Sequence, residues 1–161
     1  MLIFPRGPWK IVVHSMPGRF EAIEKAWQQV KSEAVGAIVC LVKRYEIRLK
    51  SSAYAEAWKS ALFPVPCCLS KFLKGRARRP EWLLGACERC SESIAVREVV
   101  LIHCAAGLGR TAMLAIPVLL ALGEPMDEAE SAVSRAGSLV ETMPQIEMLS
   151  WCASQVSIKL A

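Results

Sequence analysis

Along the chain, short continuous apolar runs alternate with segments in which apolar residues recur every three or four positions. Trp9 to His14 is apolar and β-branched and gives way to Pro17 and Gly18, which predicts a strand followed by a loop. Phe20, Ile23, Trp27 and Val30 mark one face of an amphipathic helix. Gly36 to Val42 is a continuous apolar run bounded by charge, the pattern of a strand buried on both faces. Ser51 to Ser60 predicts a helix with serine at its entrance, Leu62 to Val65 a short strand, and Pro80 to Arg97 a further helix. Val99 to His103 is the next apolar strand and Thr111 to Leu122 the next helix, with Pro117 inside it where a kink or a broken ladder is expected. Asp127 to Ala136 and Pro144 to Lys159 complete a helical C-terminal half, with Asp127 read as a helix cap.

This alternation predicts an α/β fold: a single domain over residues 1–161, with a mostly parallel central sheet of four to five strands flanked by helices on both faces. In such sheets ligands bind at the carboxyl ends of the strands, so the end of Val99–His103 is where chemistry is expected. A length of 161 residues and an apolar fraction of 53% suit one compact core. The apolar helix from Thr111 is too short to span a membrane, and the N-terminal MLIFPRGPWK, broken by Pro5 and Arg6, has the form of neither a signal peptide nor an anchor.

The candidate chemistry lies at residues 103–111, HCAAGLGRT. Between Cys104 and Arg110 the side chains of Ala105, Ala106, Gly107, Leu108 and Gly109 are small or apolar, so this loop meets a ligand with its backbone N–H groups. Successive N–H groups on a tight loop form a concave nest for phosphate, and the helix that follows adds its positive end. That field favours a thiolate, which makes Cys104 the expected nucleophile. Arg110 adds a planar fork able to hold two phosphoryl oxygens. Gly107 and Gly109 allow the backbone to turn and approach closely, and the Thr111 hydroxyl is expected to stabilise the sulfur as it leaves an intermediate. Cys104 alone would read as a small buried core residue; the whole string after an apolar strand points to the anion site.

HCAAGLGRT resembles the signature loop of the cysteine-based protein tyrosine and dual-specificity phosphatases, in which the cysteine attacks phosphorus and the phosphocysteine is then hydrolysed. Ser138 to Gln145 (SLVETMPQ), after Arg135, Ala136 and Gly137, is similar to a stretch of the small atypical dual-specificity members, and His14 to Gly18 and Cys40 to Arg44 are similar to their opening loop and second-strand segments. The resemblance implies a protein tyrosine phosphatase-like fold and assigns Cys104, Arg110, Thr111 and Gln145 to catalysis, residues 104–110 to phosphate binding and His103 to a supporting role. Gln145 would position the hydrolytic water. It implies a phosphorylated protein as substrate, carrying phosphotyrosine and also phosphoserine or phosphothreonine, and no cofactor.

The chain departs from that family at the proton donor. The stretch that corresponds to the family's acid loop is Phe63-Pro64-Val65-Pro66-Cys67-Cys68, so Cys67 occupies the altered general-acid position, and Asp127 is the chain's one aspartate. Three consequences are open: slow turnover, another acid such as Glu81 or Glu88, or a leaving group such as pyrophosphate that needs no proton. The alternative functions are therefore a phosphate-binding pseudophosphatase and an RNA 5'-triphosphatase. By the same resemblance Cys67 would overhang the pocket, where it or Cys68 would trap oxidised Cys104 as a disulfide; the other reading is apolar loop filling.

Charge and the remaining cysteines add little. The net charge of +5 is concentrated in Lys71, Lys74, Arg76, Arg78 and Arg79, a segment that steers phosphorylated protein, nucleotide, RNA or lipid headgroup, or is simply a solvated loop. Seven cysteines, an odd number, together with a nucleophilic thiol imply reducing conditions and a cytoplasmic protein without structural disulfides. Cys87 and Cys90 form a single CxxC and read as a helix face, the alternative being a four-thiol zinc site with Cys67 and Cys68; Cys40 and Cys152 read as core. No dinucleotide fingerprint, Walker lysine motif or HExxH string is present, so neither metal nor nucleotide cofactor is expected.

Overall fold

In the computed structural model, which describes residues 2–3, 10–69, 85 and 99–160, the strands β1 (Leu2–Ile3), β2 (Lys10–His14), β3 (Ala37–Cys40), β4 (Cys67–Leu69) and β5 (Val99–His103) form one sheet in the order β1-β2-β5-β3-β4. All neighbours run parallel except β1, which lies antiparallel on β2. The three longer strands β2, β5 and β3 make the parallel centre, and the two edges are only two and three residues long. β5 sits between β2 and β3, and all five of its residues are buried, as a strand covered on both faces requires.

The alternation of side chains along the strands divides the core. Ile11, Val13, Val100 and Ile102 face the helices α4 (Gly109–Ala121), α5 (Met126–Arg135) and α6 (Met143–Leu160). Val12, Ile38 and Leu101 face the other way, onto Val30 of α1 (Ile23–Ser32). Helices therefore cover both faces, as the alternating pattern predicts. Two more, α2 (Arg44–Lys50) and α3 (Ser52–Ser60), follow the carboxyl end of β3. Ser51 caps α3 as expected: its Oγ accepts the Tyr54 N–H at 3.1 Å and donates to the Pro17 carbonyl at 3.0 Å. Cys40 and Cys152 are fully buried, and burial pushes their thiols up to about 12 and about 11. No helix among the described residues is long and apolar enough to cross a membrane.

Several local expectations are corrected. Phe20 is 66% exposed and precedes α1, so the buried face of that helix is Ala26 and Val30 with Trp27 half-covered. Pro117 does not interrupt α4, which runs unbroken to Ala121; every residue from Thr111 to Leu120 is buried, and that packing offsets the missing N–H. Asp127 does not cap α5: it stands in the first turn, where it complements the helix dipole, and no side chain caps that helix. The strand expected at Leu62–Val65 begins instead at Cys67. Pro64 and Pro66 lack the N–H a ladder needs, and Pro66 contributes only its carbonyl, which accepts the Ile38 N–H at 2.9 Å. The expected Pro80–Arg97 helix, the basic segment and the Cys87/Cys90 pair lie outside the described residues.

Candidate active site

The loop expected to cradle phosphate lies between the end of β5 and the start of α4. β5 delivers His103 and Cys104 at the carboxyl edge of the sheet, and the chain turns through residues 105–108 into the helix. Gly107 has φ +81, and a Cβ there would lie 2.9 Å from the backbone of His14 and Ser15, so only glycine fits this turn. The turn brings the Gly107 N–H to 3.2 Å from Cys104 Sγ, and Cys104 itself is buried. Two outer braces hold the loop: the Met16 N–H donates to the Ala105 carbonyl at 3.2 Å, and the buried Ser138 hydroxyl donates to the Gly107 carbonyl.

α4 starts at Gly109, and its first closed hydrogen bond runs from Ala112 to the Leu108 carbonyl at 3.0 Å. The amides just before Ala112 are therefore free of intrahelical partners, the feature that lets a helix start receive an anion. Gly109 is helical rather than left-handed. Its missing side chain makes room for Glu141 and Gln145, since a Cβ there would lie 2.2 Å from Glu141 Oε2 and 2.9 Å from Gln145 Nε2. The Thr111 hydroxyl is completely buried and has no hydrogen-bond partner among the described residues.

Arg110 is aimed by a residue the sequence did not single out. Nη1 donates to Glu46 Oε2 at 2.9 Å and to the Leu41 carbonyl at 3.2 Å, and Nη2 donates to Glu46 Oε1 at 2.8 Å. Glu46 lies in the first turn of α2. The hydrogen bond from Arg110 holds the Glu46 carboxyl below its usual range, and the same pairing holds the guanidinium above its own. Three of the five guanidinium hydrogens are thus taken. Nε–H and the second hydrogen of Nη2 form the remaining edge of the fork, the arrangement that grips two phosphoryl oxygens.

His103 is buried completely, and burial pushes its imidazole down to about 4, so the ring is neutral. Nδ1 lies 3.1 Å from the Cys104 carbonyl and Nε2 lies 2.7 Å from the Tyr54 hydroxyl. The carbonyl only accepts, so Nδ1 carries the proton and Nε2 accepts from Tyr54. Burial keeps the Tyr54 phenol protonated by raising it well above its ordinary value. His103 thereby fixes the carbonyl of Cys104.

Gln145 lies beside the loop, whereas Cys67 is placed differently from the expectation. Gln145, in the first turn of α6, accepts the Glu141 N–H at 2.7 Å while its amide nitrogen lies against Gly109, so it stands at the mouth of the cradle. Cys67 does not overhang the pocket. It opens β4 level with Ile38, whose partner on β5 is Leu101, three residues before Cys104. At about 3.3 Å per residue this sets Cys67 roughly 10 Å below Cys104 and two strands away, beyond the reach of a disulfide. Its sulfur lies 3.6 Å from the Tyr54 hydroxyl instead. The segment that leaves the carboxyl end of β4 begins after Leu69, outside the described residues. Among the described residues no cluster of metal-ligating side chains occurs.

No protein-family profile and no curated protein matches the chain. Solved structures do. Kinase associated phosphatase with a serine in place of its catalytic site cysteine superposes with a TM-score of 0.75 at 15% identity, over 98% of this chain and 96% of that one. A mutant form of Tk-PTP gives 0.69 at 28% identity over 99% and 97%, and PTPMT1 in complex with PI(5)P gives 0.69 at 17% identity over 96% of each. The chain has the protein tyrosine phosphatase-like fold, and its structural neighbours over nearly its whole length are dual-specificity and protein tyrosine phosphatases.

Proposed function

We propose that the protein is a cysteine-dependent phosphatase that hydrolyses phosphomonoesters of proteins, phosphotyrosine and also phosphoserine and phosphothreonine, through a phosphocysteine on Cys104. One arrangement carries the reading: a buried cysteine at the end of the central strand, a helix start after it, and Arg110 fastened by Glu46 with one fork edge open among the described residues. Cys104 Sγ attacks phosphorus, and the S–P bond forms as the bond to the ester oxygen breaks. The amides at the start of α4 and the open edge of Arg110 hold the non-bridging oxygens through this step. Water, positioned by Gln145, then attacks phosphorus, phosphate departs, and the Thr111 hydroxyl stabilises the returning thiolate. A groove lined by His14, Ser15, Phe20, Ala106, Gly107 and Ser138 flanks the cradle, and exposed Phe20 gives an aryl ester an apolar wall.

The departing oxygen must collect a proton, and the only aspartate, Asp127, stands in α5. A positioned acid contributes about 10²- to 10⁴-fold, so turnover should favour activated aryl phosphates over phosphotyrosine peptides. The same lack of aspartate favours two further readings: a phosphate-binding protein without turnover, and a 5'-triphosphatase acting on RNA, whose pyrophosphate leaving group needs no acid. Hydrolysis of an activated aryl phosphate, a phosphotyrosine peptide and triphosphate-ended RNA by the natural chain, Cys104→Ser and Arg110→Lys separates them. The phosphatase reading requires aryl phosphate turnover that disappears in Cys104→Ser; turnover that survives this substitution rules it out.

A further inference from the structure

We infer that Glu141 is an internal competitor for the phosphate site: its carboxylate takes a cradle amide that bound phosphate would use, and phosphate has to displace it. The inference rests on the cradle reading above. Gly109 is the first residue of α4, so its N–H has no carbonyl one turn back and belongs to the set offered to an anion. That N–H is already engaged, by Glu141 Oε2 at 2.9 Å.

The fit is close. A Cβ on Gly109 would stand 2.2 Å from this same oxygen, so glycine at this position is what admits the carboxylate. The segment that carries Glu141 is tied down on both sides of it, by Ser138 on the Gly107 carbonyl and by Gln145, which accepts the Glu141 N–H at 2.7 Å. The carboxylate is thereby held at the cradle by its own backbone. Glu141 is nevertheless exposed, so its side chain can swing into solvent without opening a cavity. One N–H cannot serve a carboxylate and a phosphoryl oxygen together, and two anions side by side repel. Glu141 therefore lowers affinity for phosphate without reducing what the cradle can hold once the side chain has left. A charge-assisted hydrogen bond at an exposed position makes this suppression about tenfold.

Calorimetric titration of inorganic phosphate into the natural chain, Glu141→Gln, Glu141→Ala and Arg110→Ala tests it, with the Gly109 amide followed by ¹⁵N NMR. Glu141→Gln should bind phosphate about tenfold more tightly than the natural chain and Glu141→Ala at least as tightly. The Gly109 amide should shift on either substitution, and phosphate should shift it further. If both variants bind no tighter than the natural chain, while Arg110→Ala still abolishes binding, the competition is wrong and the cradle stands. If phosphate binds to none of them, or binds regardless of Arg110→Ala, the cradle reading falls and the competition with it.

Discussion

Acid should weaken this protein through His103. The ordinary imidazole value is 6.5 and burial takes this one to about 4. Above pH 6.5 neither the folded nor the unfolded chain binds the proton; below it the unfolded chain does and the folded one does not. Stability is therefore full above 6.5 and is lost as pH falls toward 4. Each pH unit in that window is worth about 1.4 kcal/mol, so the whole loss is about 3 kcal/mol, a large share of the roughly 5–15 kcal/mol that holds a domain together. Glu46 acts in a separate window, because its lowered carboxyl keeps its contribution until the pH is below 4.5. Urea unfolding between pH 7 and 4.5 reads the effect. With a slope of about 2 kcal/mol per molar, most of the loss appears as a midpoint lower by roughly 1–1.5 M. His103→Asn, which cannot titrate, should be less stable at pH 7 but should lose much less between the two pH values. Equal losses in the natural chain and in His103→Asn would show that this imidazole is not the group involved.

The same geometry gives three further expectations. Tyr54→Phe leaves buried His103 Nε2 without its donor and should cost about 1–3 kcal/mol in urea unfolding; an unchanged midpoint would show that the ring is held by other contacts. Glu46→Gln loosens Arg110, which is 39% exposed at its side chain, so the stability cost should stay under about 1 kcal/mol. Phosphate affinity and aryl phosphate turnover should instead fall by roughly tenfold or more, because the guanidinium edge is no longer aimed. Gly107→Ala forces a Cβ against the backbone of His14 and Ser15 at φ +81 and should cost about 1–3 kcal/mol, read as a lowered Tm.

What the sequence made legible was local or periodic. Val99–His103 is a continuous apolar run, and the HCAAGLGRT string that follows carries its own turn and helix start, so strand, turn and helix fall close to where expected. Glu46, Tyr54 and Glu141 were not legible, because each meets its partner across the fold: Glu46 is 64 positions from Arg110, Tyr54 is 49 from His103, and Glu141 is 32 from Gly109. Nothing in the spacing of a glutamate on an exposed-looking helix distinguishes one that fastens an arginine. Cys67 was misplaced for a different reason. The apolar pattern puts a short strand at Leu62–Val65 and the resemblance puts the acid loop at Phe63–Cys68, whereas Pro64 and Pro66 postpone the strand until Cys67 itself. Phe20 fits the three-and-four spacing, but periodicity does not say where a helix begins, and α1 starts only at Ile23.

A phosphatase of the proposed kind phosphorylates Cys104 in every turnover, and that intermediate can be trapped. The natural chain is mixed with an activated aryl phosphate, quenched in acid within the first turnover, digested, and the peptide containing Cys104 weighed. One added phosphoryl group is expected on Cys104, absent in Cys104→Ser and strongly reduced in Arg110→Lys. Hydrolysis of the substrate with no phosphoryl group ever found on Cys104 would contradict the proposal.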